Sequence, residues 1–156
     1  MGSATIATHW YRVGTSSRRV TKYSLPSKPG GGPRYIVIPR DHRILCVEDL
    51  LHRQLRFLQQ LGPAVKIVSR AEDAIAALQL ETFHEILLDY DLGFGRTSED
   101  VARYLVTVRF TGSIVIHSVN QFGAAVLEKI LRDGGISAVE AVPYDLLGVL
   151  RERIER

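Results

Sequence analysis

The sequence predicts an α/β domain over residues 43–156, with a five-stranded parallel sheet of order 2-1-3-4-5, behind a basic N-terminal extension of residues 1–42. Two observations predict it. From Arg43 onward, short apolar runs alternate with longer amphipathic stretches, the pattern of βα units joined by right-handed crossovers. Three of those runs also end on polar side chains: Ile44 to Val47 on Glu48-Asp49, Glu85 to Leu88 on Asp89, and Ile114 to Ile116 on His117-Ser118. Parallel sheets bind ligands outside the carboxyl ends of their strands, so these three ends define one candidate site.

The elements follow in order. The first strand spans about 43–48, and a helix of about 50–61 carries Leu51, Leu55 and Leu58 on one face. Gly62-Pro63 stops that helix, because proline cannot continue it. The second strand spans about 64–68, and Ser69 with Glu72 forms a capping box for a helix from Ala71 to Leu80. The third strand, about 85–89, leads through a glycine-rich loop to a helix of about 98–109, with Thr97 or Ser98 as cap and Val101, Leu105 and Val108 at helical spacing. The fourth strand spans about 113–118, and its helix, about 123–133, ends at Gly134-Gly135. The fifth spans about 136–141. Pro143 then opens a last helix of about 145–155, whose Leu146, Leu147, Leu150 and Ile154 offer a face for the sheet or for a homodimer. Five βα units of this length fit a flavodoxin-like sheet. Neither GxGxxG nor GxxxxGK[ST] occurs.

Apolar content of 46% and charged content of 24% are those of a globular domain. No apolar run approaches the roughly 18 residues of a membrane span, and the N-terminus lacks a secretory apolar core. The single Cys46 cannot form an internal disulfide; the expectation is a cytoplasmic protein with a buried thiol. Residues 1–43 hold eight Lys or Arg against one acid, Asp41, whereas the rest holds twelve basic and sixteen acidic residues. A basic extension on an acidic body suits RNA, or serves only as a solvated tail. The segment to Gly32 reads as a linker or flexible arm, within which Ile6–Val13, like Tyr35–Ile38 just beyond it, has the β-branched and aromatic character of a strand.

In the 2-1-3-4-5 order Glu48, Asp49, Asp89 and Asp91 ring one pocket. Carboxylates so close cannot all ionise without a cation, and a hard divalent ion, Mg²⁺ or Mn²⁺, is the economical answer. Asp49 also has the simpler reading of a helix cap. His117 can donate to a phosphate or move a proton, while Ser118 and Asn120 add donors suited to phosphate oxygens. Asn120 is equally placed to cap the next helix, whose free N–H groups favour anions.

These residues resemble a response-regulator receiver domain over about residues 43–156. The resemblance implies phosphoryl acceptance at Asp89, Mg²⁺ held by Glu48 and Asp49, and a hydroxyl role for Ser118. Val142 stands where a receiver carries the Lys before Pro143. A closer resemblance is to the cyclic-phosphate-processing receiver domain, carried by Leu88-Asp89-Tyr90-Asp91-Leu92-Gly93, Thr97-Ser98-Glu99-Asp100-Val101 and His117-Ser118-Val119-Asn120-Gln121-Phe122-Gly123. Tyr90 replaces a common His, Ser98 a Gly, and Glu48 the first Asp of the pair. This resemblance implies action on cyclic phosphate ends of RNA or on cyclic nucleotides. The expectation is therefore a metal-dependent domain that binds or hydrolyses a 2′,3′-cyclic phosphate, a phosphoesterase in RNA processing. Asp89 and His117 would be catalytic, Ser118 and Asn120 would bind phosphate, and Glu48, Asp49, Asp89 and Asp91 would hold the metal. The alternative is an atypical receiver acting as a signalling or interaction module.

Overall fold

A computed structural model of the protein describes the backbone of residues 6–13, 16–24, 35–38 and 41–146, and side chains from 41 to 145. Strands β1 (Ile6–Val13), β2 (Ser16–Ser24) and β3 (Tyr35–Ile38) form an antiparallel sheet in that order. β1 and β3 are the two segments with strand character. β2 corrects the expectation of a flexible arm: it pairs along its length with β1, setting Tyr11 opposite Arg18 and Trp10 opposite Arg19. The ladder is made by backbone groups, so Val20, Thr21 and Tyr23 suffice to favour an extended chain despite flanking Ser and Arg.

The second sheet follows the predicted alternation. It comprises β4 (Ile44–Val47), β5 (Val65–Val68), β6 (Glu85–Leu88), β7 (Ser113–Ile116) and β8 (Val139–Ala141), in the order β5-β4-β6-β7-β8 with every pair parallel. That is the 2-1-3-4-5 topology. Helices α1 (Leu51–Leu61), α2 (Ala71–Leu80), α3 (Glu99–Thr107) and α4 (Gln121–Asp133) connect the strands. The apolar runs lack alternation because both sheet faces are covered. Leu45, Val47, Ile86, Leu88, Ile114 and Ile116 enter one core, with residues of α2, α3 and α4. Ile44, Cys46, Leu87 and Val115 enter the other, with Phe57 and Leu61 of α1. The Cys46 thiol is fully buried there, and burial pushes its pKa up. No helix among the described residues is long and apolar enough to cross a membrane.

Several local expectations need correction. Leu51, Leu55 and Leu58 do not face the sheet: they are 67%, 50% and 45% exposed, and α1 instead buries Phe57, Gln60 and Leu61. Two apolar stripes compete on this helix, and the aromatic one wins because Phe57 fills the space against His117 and Tyr144. Phe57→Ala is therefore expected to cost about 3–5 kcal/mol in urea denaturation. Leu55→Ala should stay within about 0.5 kcal/mol. The capping box of α2 is not made: Arg70 is the N-cap without a side-chain bond, and the Ser69 hydroxyl accepts instead from Gln54 Nε2 at 2.9 Å. Val108, 47% exposed, lies past the end of α3. The fifth strand begins at Val139 rather than near 136. Tyr144–Leu146 form a 3-10 turn; the remainder of the last predicted helix, with its homodimer face, lies outside the described residues.

Candidate active site

Asp89, the residue after β6, is held from two sides. Its Oδ1 accepts from Tyr90 N–H at 2.8 Å, and its Oδ2 faces Arg53 Nη1 at 3.4 Å. Glu48, the residue after β4, accepts from Leu50 N–H through Oε1 at 3.0 Å, while its Oε2 has no hydrogen-bond partner among the described residues. Asp49 completes the group: ligand atoms of Glu48, Asp49 and Asp89 all lie within 4.8 Å of one another. Asp49 does not cap α1, whose N-cap is Leu50 with no side-chain bond. The motif glycine Gly93 has its reason here, since its φ is +71° and a Cβ would lie 2.9 Å from Asp49 Oδ2.

Crowding of carboxylates away from water has a measurable electrostatic consequence. Burial raises Glu48 from its ordinary 4.5 to about 7, with Asp89 and Asp49 adding to the rise and Arg53 opposing it. Burial also raises Asp89, against a hydrogen bond from Ser118 and the Arg53 charge. A native pKa above the unfolded value means that the folded state binds the extra proton. The contribution to stability is then complete below pH 4.5 and lost as pH rises through about 7. In metal-free buffer, Glu48→Gln should therefore gain on the wild type by about 1.4 kcal/mol per pH unit across that window. Urea denaturation at pH 4.5, 6 and 7.5 reads the difference, and a constant difference would contradict the raised pKa.

His117 and Ser118 follow β7 and point to opposite sides. His117 continues the side of Val115, is fully buried, and packs against Phe57 at 5.0 Å and Tyr144 at 6.5 Å between ring centroids. Its Nδ1 is 3.7 Å from Glu48 Oε2, and neither ring nitrogen has a hydrogen-bond partner among the described residues. Burial, with the nearby Arg53 charge, lowers its pKa to about 3. His117 is thus a neutral imidazole near pH 7 and not a solvent-facing imidazolium, which corrects the picture of a phosphate donor at the mouth. Ser118 hydrogen-bonds Asp89 and accepts from Asn120 N–H at 3.2 Å.

Asp91 stands apart from the carboxylate trio. It is exposed, and its Oδ2 accepts from Asn120 Nδ2 at 3.0 Å. Asn120 caps α4 through Oδ1, which accepts from Gly123 N–H at 2.9 Å. Asp91 and Asn120 therefore tie the loops after β6 and β7 together, with the Asn120 side chain already engaged at both ends. Ser98, at the start of α3, makes no cap; its hydroxyl donates to the Asp89 carbonyl and pins the loop behind the site. Tyr90 lies over the start of α4 and donates its hydroxyl to Glu99 at 3.0 Å. A Cβ on Gly123 would sit 2.1 Å from Tyr90 Cδ1, so the last glycine of the third motif is room for the residue at 90. Gly123→Ala should destabilise by about 1–3 kcal/mol through overpacking. In a Tyr90→Ala background the same change should turn favourable by up to about 1 kcal/mol, the helix preference for Ala. Equal effects in both backgrounds would refute the contact.

Arg53 was not legible as a site residue. Its side chain is 11% exposed, with Nη1 3.4 Å from Asp89 Oδ2 and 3.6 Å from Glu48 Oε2. Its guanidinium carbon lies 4.2 Å from the Tyr144 ring centroid. The available signal is helical spacing: positions 53, 57, 60 and 61 form the inward stripe of α1.

A divalent ion fits these donors. The trio offers hard oxygen ligands in close quarters, and the buried Glu48 Oε2, without a hydrogen-bond partner among the described residues, is an oxygen that a cation would satisfy.

Comparison with known proteins agrees with this geometry. The family model described as the cyclic-phosphate processing receiver domain matches residues 43–133. A response regulator receiver domain protein (CheY-like) from Methanospirillum hungatei superposes with a TM-score of 0.52 at 21% identity, covering 72% of this chain and 93% of that one. The response regulator TrrA from Thermotoga maritima, in complex with Mg²⁺-BeF, gives 0.53 at 18% identity, covering 72% and 98%. The receiver domain of a sensor histidine kinase from Pseudomonas aeruginosa, with magnesium coordinated in its active-site cleft, gives 0.52 at 20% identity, covering 74% and 98%. No curated protein matches significantly. The fold is that of receiver domains, and the chain belongs to the cyclic-phosphate processing receiver family.

Proposed function

We propose that this member of the family binds and hydrolyses a cyclic phosphate, a 2′,3′-cyclic RNA end or a cyclic nucleotide, with Mg²⁺ or Mn²⁺ held by Glu48, Asp49 and Asp89. The observation that carries the reading is the carboxylate trio within 4.8 Å, set beside a buried imidazole and a strand-end hydroxyl. The magnesium seen in two receiver neighbours supports the metal. When bound, the ion lowers the pKa of water and neutralises phosphate charge. Ser118 orients oxygens at Asp89, and Asn120 keeps the two loops in register. Without metal, a proton held by this buried pair rests on Glu48 rather than on His117. An ionised Glu48, its Oε2 3.7 Å from His117 Nδ1, would favour a proton on that imidazole, which is the route by which His117 would serve proton transfer. Phe94, 102% exposed on the loop after β6, and Phe122, 77% exposed in the first turn of α4, supply faces on which a nucleobase can stack. The basic N-terminal extension, residues 1–42, would hold an RNA backbone, with affinity that falls as salt rises.

The test is incubation with an RNA oligonucleotide ending in a 2′,3′-cyclic phosphate, with and without Mg²⁺ or Mn²⁺, followed by mass measurement. Metal-dependent gain of one water is expected, and an unchanged mass with folded, metal-loaded protein would overturn hydrolysis. A second reading, a phosphorylated signalling module, draws support from the receiver fold and the buried Asp89. A stable gain of one phosphoryl group after acyl-phosphate treatment, lost in Asp89→Asn, would favour it.

A further inference from the structure

The charge of the site poses a problem that one residue resolves. Glu48, Asp49 and Asp89 together carry three negative charges when ionised, and a divalent ion leaves one over. A cyclic phosphodiester is itself an anion, so the metal-loaded trio alone would repel it. Val142 brings no help: it is 4% exposed and packed in the apolar core with Ile44, Leu87 and Val115.

We infer that Arg53 is the anion-binding cation of this pocket, delivered by the first turn of α1 rather than by a strand end. Three observations support this. The guanidinium lies between Asp89 and Glu48, so one more positive charge makes the loaded site neutral toward an incoming phosphate. It is held there by a shelf, the Tyr144 ring 4.2 Å below its carbon, which positions a cation without consuming its N–H donors. Its terminal donors are largely uncommitted: among the described residues the side chain makes a single, long hydrogen bond of 3.4 Å, from Nη1. A planar fork with unused donors suits two phosphate oxygens at once. Arg53 also repels a metal ion while it attracts the phosphate, so its two effects have opposite sign.

The inference rests on the phosphate reading above, and its test separates the two. Mn²⁺ is titrated into wild type, Arg53→Lys and Arg53→Met, with free metal followed by electron paramagnetic resonance. Inorganic phosphate and 2′,3′-cyclic AMP are then titrated into the metal-loaded proteins by calorimetry. Arg53→Met is expected to bind Mn²⁺ several-fold more tightly and both anions roughly 10–100-fold more weakly, with Arg53→Lys between the two. Loss of fold would weaken both ligands, so tighter metal with weaker anion cannot come from a structural defect. If wild type and Arg53→Met bind the anions equally, Arg53 is not the clamp although the phosphate reading stands. If metal-loaded wild type binds neither anion, both fall.

Discussion

Asp89→Asn is expected to abolish metal-dependent hydrolysis while leaving the fold at least as stable. The amide keeps the size of the side chain and an oxygen to accept the Tyr90 N–H bond. It removes one of three crowded charges, and since burial already raises the Asp89 pKa, the ionised carboxylate costs the fold stability that the amide does not. Metal binding moves the other way. Residues that only support ligands cost about 10–100-fold in metal affinity when removed, so replacing a ligand should cost more than about 100-fold. Thermal unfolding with and without Mn²⁺ reads the loss as a vanished metal-induced shift, and the RNA-end assay reads it as an unchanged mass. Hydrolysis at the wild-type rate would remove Asp89 from the mechanism.

His117→Leu should separate stability from activity in the opposite direction. A buried imidazole whose nitrogens have no hydrogen-bond partner among the described residues is costly: an unsatisfied buried polar group costs about 1–3 kcal/mol. Leu fits the same apolar surroundings of Phe57 and Tyr144 without that cost, so the variant is expected to be more stable by roughly that amount. Proton transfer by a positioned side chain contributes about 10²–10⁴-fold, and turnover should fall accordingly. A fold that retains a destabilising group at its ligand-binding edge is consistent with selection for function at that position. A more stable, fully active His117→Leu would make His117 a packing residue only.

The carboxylate and imidazole ends were readable because they are consequences of strand geometry. Ile44 to Val47, Glu85 to Leu88 and Ile114 to Ile116 are apolar without alternation, which identifies interior strands, and the residue after each must emerge at the same edge. Glu48, Asp89, His117 and Ser118 were found in that way. The caps were less readable. Ser69 and Ser98 have the right identity for capping, yet each hydroxyl is used elsewhere, by Gln54 and by the Asp89 carbonyl. Asp91 lies two residues beyond Asp89, but the Asp91–Thr97 bridge and the Asn120 bond carry it out of the trio.

Residue order alone determined the alternation, the doubly wound topology and the acidic site at the strand ends, because these follow from local periodicity and chain connectivity. Only the tertiary structure decided which stripe of α1 faces inward. Leucines at 51, 55 and 58 and the set at 53, 57, 60 and 61 satisfy helical spacing equally well. Packing of Phe57 against His117 and Tyr144 selects the second set. That rotation carries Arg53 between two carboxylates distant in sequence, a placement set by the balance of side-chain volume and charge across three separate elements.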